Sequence, residues 1–130
     1  MFWVGLATLI MLISGTGDDS REFRKRMQAM HEATEHFIGD GERRARADRA
    51  LQETSAAFLA HRTRLDKLSR CIGDADADYH ATQAQYAACL DHLDEMWAAS
   101  VNDFLRAEQH FRAAASQAEL LQIHHKVLKR

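Results

Sequence analysis

Apolar side chains return every seven residues along much of this chain. In its first half, with Arg44 as an exception, they are Phe23, Met30, Phe37, Leu51, Phe58, Leu65 and Ile72. A seven-residue repeat places an apolar stripe on one side of an α-helix, where it packs against another helix. The chain also contains no proline and only six glycines, so residues that end helices are scarce. We therefore predict an all-α protein of the coiled-coil type.

A second apolar repeat fills the C-terminal half of the chain. Beyond Gly73, no further Gly or Pro occurs before the last residue, Arg130. We therefore expect one long helical arm over residues 79–130, antiparallel to a first arm over residues 20–72. The residues expected to form the seam between the arms, or between copies of the chain, are Phe58, Leu65, Tyr86, Leu93, Trp97, Phe104 and Phe111.

Residues 73–78, with the sequence GDADAD, are predicted to form the turn between the two arms. A glycine commonly ends a helix, and acidic residues stabilise the start of the next one. A turn at this point opposes Leu65 to Tyr86. In that register Cys71 and Cys89 lie about 10 Å apart by helical rise. This separation is too large for a disulfide, so we expect both thiols to be free.

A longer loop centred on Tyr79 is the alternative turn. It moves the arms by one heptad, opposes Leu65 to Leu93 and brings Cys71 to Cys89. In this register the two thiols could form a disulfide in an oxidising compartment. We favour the tight turn, because the glycine and the acidic residues lie where that turn needs them.

Gly39, Asp40 and Gly41 interrupt the first arm. Each glycine costs about 1 kcal/mol inside a helix, yet the seven-residue phase continues across this point without a shift. We therefore predict a kink or short hinge at residues 39–41 in a nearly continuous arm. In the alternative, the chain folds back here into a compact three-helix bundle, which would allow a stable monomer.

Residues 1–17 contain no charged side chain. As a helix they would reach about 25 Å, near the lower limit for crossing a hydrocarbon core of about 30 Å. We predict that this segment is a single-pass membrane anchor, followed by a helical body over residues 18–130. The alternatives are a cleaved signal peptide, for which Gly15 and Gly17 offer a cleavage site, and a buried segment of a soluble protein.

Basic residues follow the predicted anchor, and none precedes it. By the positive-inside rule, this pattern places the N-terminus outside and the body in the cytoplasm. A periplasmic body is the alternative. The hairpin also returns the C-terminus to the anchor, so that two basic groups meet near anionic lipid headgroups. The predicted membrane-proximal basic residues are Arg21, Arg24, Lys25, Arg26, Lys126, Lys129 and Arg130.

Signatures of catalysis and cofactor binding are missing from the sequence. It has no nucleophile elbow and no glycine-rich phosphate loop. Asp74, Asp76 and Asp78 resemble the start of a calcium loop, but the glycine and glutamate that such a loop needs are not in place. The formal net charge of -2 gives no reason to expect nucleic-acid binding. We therefore predict no enzyme activity, no cofactor and no nucleic-acid partner.

These features together favour a membrane-anchored coiled-coil protein without catalytic activity, which acts as a structural or adaptor subunit. Its expected partners are membrane lipid and either further copies of itself or other subunits of a membrane complex. The first alternative is an envelope-spanning or lysis-type helical protein with a periplasmic body and oxidised cysteines. The second is a helical bundle that binds a metal or haem through His31, Glu35, His36 or His61.

Overall fold

Five α-helices make up the part of the chain that the computed structural model describes, residues 19–128. They are α1 (Asp19–Phe37), α2 (Gly41–Ala77), α3 (Gln83–Leu90), α4 (Leu93–Ala114) and α5 (Gln117–Leu128). No strand occurs among these residues, so the predicted all-α class is confirmed. The predicted anchor at residues 1–17 lies outside this range, as do Lys129 and Arg130. None of the helices within residues 19–128 is long and apolar enough to cross a membrane.

The chain folds back on itself between α1 and α2. Phe23 of α1 stacks on Phe58 of α2 with ring centroids 4.0 Å apart, and His31 Nδ1 lies 3.0 Å from Asp48 Oδ1. Residue numbers rise on one helix as they fall on the other in these pairs, so the helices are antiparallel. The preference for a nearly continuous first arm is therefore wrong, and the arrangement is that of the folded-back alternative.

The break between α1 and α2 has a local cause and a tertiary one. Asp40 is the N-cap of α2, and its carboxylate accepts a hydrogen bond from the Arg43 backbone N–H at 3.1 Å. A cap of this kind stabilises a helix start by about 1 kcal/mol. Ile38 is buried in the core, so an apolar contact also holds the turn against the bundle. The seven-residue spacing of apolar residues continues across this break because α1 and α2 both direct their apolar residues into the same core.

Helices α2 and α4 are antiparallel, in a register that differs from the predicted one. Both terminal nitrogens of Arg64 lie 3.1 Å from Asp103 Oδ2. A disulfide joins Cys71 to Cys89 across a Cα separation of 5.7 Å. The prediction of free cysteines is therefore wrong, and so is the tight turn on which it depended. The alternative with the longer loop brings the two cysteines together as observed.

The turn lies at residues 78–82, not at the predicted 73–78. Helix α2 continues through Gly73, where a side chain would meet only open space. Helix α3 begins after Thr82, whose hydroxyl accepts from the Gln85 N–H while the Gln85 side chain accepts from the Thr82 N–H. This reciprocal capping box satisfies two backbone donors at once, and it sets the start of the returning helix.

Within the described part of the predicted second arm, residues 79–128, the chain forms three helices. A break at Ala115 and Ser116 separates α4 from α5, and Ser116 forms a second reciprocal cap with Glu119. The Arg43 guanidinium also donates to Glu119, and this hydrogen bond lowers the pKa of Glu119 to about 2. The ion pair ties the start of α5 to the start of α2, and α5 packs against α1.

The apolar core is confined to one end of the molecule, which we call the base. It is enclosed by α1, the first half of α2, the second half of α4, and α5. Its buried residues include Phe23, Met30, Ala33, Ile38, Ala47, Ala50, Leu51, Ala57, Phe58, Phe104, Phe111, Ala114, Leu120, Ile123 and Val127. Beyond the base, residues 62–97 form a projection that we call the stem, in which α2 lies against α3 and the start of α4. Only Ala75 and Cys89 are buried in the stem.

Candidate functional site

A row of apolar side chains at intervals of seven runs through α3 and α4 and changes from buried to exposed. Phe111 and Phe104, in the base, are 3% and 2% exposed, whereas Trp97 and Leu90, in the stem, are 46% and 49% exposed. Phe104 shares a core cluster with Phe23, which lies near the start of α1. The row therefore loses its cover where α1 begins, and it continues as a bare apolar strip along the stem.

Helix α2 shows the same change along its own seven-residue row. Leu51 and Phe58 are buried in the base, but Leu65 and Ile72 are only partly buried in the stem. Phe58 and Phe104 share a core cluster with Phe23 of α1, whereas the continuations of both rows leave partly buried or exposed apolar side chains on the surface of the stem. We call this surface the stem face, and its residues are Leu65, Ile72, Leu90 and Trp97.

The residues of the predicted seam fall into two groups. Those in the core of the base are Phe58, Phe104 and Phe111. Those in the stem, none of them fully buried, are Leu65, Tyr86, Leu93 and Trp97. The seam is therefore a closed core at one end of the bundle and an open surface at the other.

The basic residues near the start of α1 share a surface with the end of α5. A recess on this surface is lined by residues that include Arg24, Lys25, Arg26, Val127 and Leu128. Lys126 does not line this recess, because its ammonium lies 5.6 Å from the ring centroid of Phe37, the last residue of α1. Arg21 is exposed. This surface adjoins the point at which residues 1–17 join the described chain.

A buried polar network lies where the base meets the stem. The Ser100 hydroxyl lies 2.7 Å from His61 Nδ1 and accepts a hydrogen bond from Arg64 at 3.1 Å, and Arg64 also donates to Asp103. The ring of Trp97 packs edge-on against His61, with centroids 5.8 Å apart. Burial, followed by the positive charge of Arg64, lowers the pKa of His61 from its ordinary value of 6.5.

This network shares its residue types with a catalytic triad, but its geometry differs. In a triad the carboxylate orients the histidine, whereas here Asp103 binds Arg64. The network instead joins α2 to α4 where the apolar core ends, and it supports Trp97 at the root of the stem face. Sequence reasoning missed Ser100 and Asp103, because neither belongs to a local motif and each lies 39 residues from its partner on α2.

A second group of titratable side chains lies on the surface between α1 and α2. One potential ligand atom from each of His31, Glu35 and Asp48 lies within 4.8 Å of the others. An imidazole nitrogen and two carboxylate oxygens suit a divalent transition metal. Ordinary polar contacts also account for the group, because His31 is hydrogen-bonded to Asp48 and an arginine of α2 lies 3.8 Å from Glu35. The other two predicted ligands, His36 and His61, lie outside this group.

Charge is unevenly distributed along the stem. On α2 the basic residues of its root are Arg62, Arg64, Lys67 and Arg70, with Asp66 as a single acid among them. Asp91, Asp94 and Glu95 lie on the returning chain between Cys89 and Trp97, and therefore beside this root. The tip, residues 71–89, has no Lys or Arg and carries Asp74, Asp76 and Asp78. Arg24 of α1 lines a groove of about 770 Å³ together with Phe58 and Leu59, so it adds a further positive charge near the root.

No known family model, curated protein or solved structure matches this chain.

Proposed function

We propose that this protein is a non-enzymatic structural or adaptor subunit, attached to a membrane through residues 1–17, whose stem binds a protein partner. The observation that carries this proposal is the exposure of Trp97 and Leu90 in a row whose other members, Phe104 and Phe111, are buried. Isolated exposed apolar residues are ordinary, but a contiguous apolar surface on a folded domain commonly marks an interaction site.

The residue types of the stem face suit a binding surface. Tryptophan is enriched among the residues that contribute most to protein–protein affinity, because its large rigid ring loses little conformational entropy on binding. Trp97 is held against His61, which is in turn hydrogen-bonded to Ser100. A side chain supported in this way has less freedom to lose when a partner covers it.

The disulfide supports a body that lies in an oxidising compartment, because disulfides are rare in the cytosol. Without the bond between Cys71 and Cys89, the stem would be held together by almost no core, since Ala75 is its only other buried residue. We give this observation more weight than the basic residues after the anchor, whose positive-inside preference favours the cytoplasm. The proposed location is therefore the periplasm or an equivalent space.

Attachment to lipid would involve two parts of the chain. Residues 1–17 supply the apolar segment, and Arg24, Lys25 and Arg26 follow it closely in sequence and line a recess together with Val127 and Leu128 of α5. Basic side chains beside a membrane anchor are attracted to anionic headgroups of the leaflet that they face. This arrangement would hold the base at the membrane surface and leave the stem available to a protein partner.

A photo-crosslinking experiment in cells tests the adaptor function. The full chain would carry p-benzoylphenylalanine in place of Trp97 in one sample and in place of Leu121 in a control, since Leu121 is 50% exposed but lies on α5. We expect a specific adduct from position 97 and none from position 121. Absence of any adduct at position 97, with normal expression and membrane recovery, would contradict the proposal.

A further inference from the structure

We propose that His31, Glu35 and Asp48 form a binding site for a divalent transition-metal ion, with Zn²⁺ as its representative. The site would connect α1, which supplies His31 and Glu35, to α2, which supplies Asp48. A bound ion would therefore hold the first helix of the base against the second. Its binding does not depend on the adaptor function of the stem, because all three side chains belong to the base.

The helical spacing of His31 and Glu35 places both side chains on one side of α1. Residues four apart on a helix lie one above the other, with Cβ atoms about 5–6 Å apart, so both can contribute to one metal ion. Asp48 lies opposite them because α1 and α2 are antiparallel, and its Oδ1 is 3.0 Å from His31 Nδ1. The site therefore exists only because the chain folds back between α1 and α2.

The distances between the potential ligand atoms suit a metal ion. Zinc binds histidine nitrogen and carboxylate oxygen at about 2.0–2.2 Å, so two ligands of a tetrahedral ion lie about 3.4 Å apart. The facing atoms of His31 and Asp48 need only a small separation from their 3.0 Å distance to reach this spacing. A carboxylate oxygen of Glu35 lies within 4.8 Å of a ligand atom on each of the other two residues. Rotation of this exposed side chain closes the remaining gap.

The chemistry of the three side chains selects a class of metal. Magnesium and calcium prefer sites made of oxygen atoms alone, whereas an imidazole nitrogen suits Zn, Cu, Fe and Ni. Two carboxylates neutralise the charge of a divalent ion, and three protein ligands leave one tetrahedral position for water. His31 and Asp48 also line the groove between α1 and α2 that contains Phe23. An ion can therefore enter the site from solvent.

The contacts that these side chains make within residues 19–128 are ones that an ion can replace. Arg44 lies 3.8 Å from Glu35, and the two side chains are 34% and 47% exposed. An ion pair with this distance and exposure contributes little to stability, because water screens both charges. The hydrogen bond between His31 and Asp48 is also at the surface. Arg44 is therefore a weak competitor of the metal ion for Glu35.

Isothermal titration calorimetry of the full chain in mild detergent with zinc chloride tests the site. The wild type would be compared with His31→Gln, Glu35→Gln and Asp48→Asn. The matched control is His36→Gln, which removes an exposed histidine of the same helix that lies outside the group. We expect each ligand substitution to raise the dissociation constant about tenfold or more, because three protein ligands are the fewest in typical zinc sites, and the control to leave it almost unchanged. A wild type without saturable binding, or equal affinity in all five proteins, would overturn the inference.

The variant Arg44→Gln tests whether Glu35 is a ligand. It removes both the competitor for this carboxylate and a positive charge beside the ion, so zinc should bind several-fold more tightly than to the wild type. Arg46→Gln is the matched control, because it removes the same charge from an exposed position of α2 that belongs to neither the ion pair nor the group. An unchanged or lower affinity in Arg44→Gln would contradict the assignment of Glu35.

Hydrogen exchange shows whether the ion connects the two helices. At a zinc concentration that saturates the wild type, exchange should slow in α1, and a chelator should reverse the change. Asp48→Asn keeps both ligands of α1 but lacks the one on α2, so zinc should not slow exchange in this variant. If Asp48→Asn bound zinc as tightly as the wild type, α1 alone would hold the ion and the bridging site would be overturned. Loss of adducts from position 97 in cells bears only on the adaptor function, so the two proposals fail separately.

Discussion

His61 illustrates how a single residue connects the two ends of this molecule. It is buried where the apolar core ends, it is hydrogen-bonded to Ser100, and its ring contacts both Trp97 and Phe104. A buried polar side chain that is hydrogen-bonded can stabilise the fold, whereas the same group without its partner destabilises it. Loss of the His61 hydrogen bond or of its ring contacts should therefore affect both the stability of the base and the position of Trp97 in the stem face.

The stability of the protein should depend on pH through His61. Because its pKa is lowered in the folded state, the unfolded chain takes up a proton at His61 before the folded chain does. The contribution of this group to stability is therefore present above pH 6.5 and is lost as the pH falls below that value. We expect His61→Gln to remove this part of the acid sensitivity, measured as the difference in urea midpoint between pH 7.5 and pH 5.5.

The variant Ser100→Ala is the control for this measurement. It removes the hydrogen bonds of Ser100 with His61 and Arg64 but keeps the imidazole, so it should lower the urea midpoint by an amount that corresponds to about 1–3 kcal/mol while the acid sensitivity remains. If His61→Gln and the wild type lost stability equally on acidification, the buried imidazole could not be the source of the acid sensitivity.

Among the elements, α3 depends most on a contact outside itself. It has only eight residues, and isolated helices shorter than about 12 residues are marginal in water. Its capping box fixes where it starts, but Cys89 is its only buried residue and forms the disulfide with α2. The covalent bond therefore supplies much of the constraint that a core supplies to the helices of the base.

Removal of the disulfide should loosen the stem and spare the base. Cys71→Ser combined with Cys89→Ser removes a cross-link between residues that are 18 positions apart in sequence. In the chain-entropy account, loss of such a cross-link lowers the free energy of unfolding by about 3 kcal/mol. We expect hydrogen exchange to accelerate in residues 83–90 and to stay slow in residues 104–114, as measured by mass spectrometry. Dithiothreitol should produce the same change in the wild type and none in the double variant. Slow exchange of residues 83–90 in the variant would contradict this role.

At the scale of the whole molecule, the base draws its core from helices near both ends of the described chain. Among residues 19–128, the clustered core residues extend from Phe23 to Val127. The two ends of this range also meet in the structure, because α1 packs against α5 and the Arg43–Glu119 ion pair locks the start of α5 in place. Folding of the base should therefore not require residues 1–17.

Deletion of residues 1–17 should release a folded body from the membrane. We expect the truncated chain to appear in the soluble fraction after cell breakage. Its circular dichroism should show that residues 19–128 are still helical, and its melting temperature should be close to that of the full chain. The full chain, extracted with alkaline carbonate, serves as the control and should stay in the pellet. Recovery of the folded truncated chain in the pellet would refute the anchor.

The sequence by itself determined the helical class and the apolar positions of each helix. A seven-residue repeat and a shortage of helix breakers act within one helix, so they can be recognised without knowledge of its neighbours. Phe58, Phe104 and Phe111 were identified in this way and lie in the core.

Only the tertiary structure decided which helices meet, and in which register. A heptad repeat looks the same after a shift of seven residues, so it could not distinguish a turn at residues 73–78 from one at residues 78–82. For the same reason an unbroken phase across Gly39 did not reveal that the chain reverses there. The polar partners Asp48, Ser100 and Asp103 were missed because they reach their sites from other helices. The exposed stem face was missed for the same reason, since burial of Phe58 and Phe104 depends on a cluster with Phe23 of α1 that does not extend to Leu90 and Trp97.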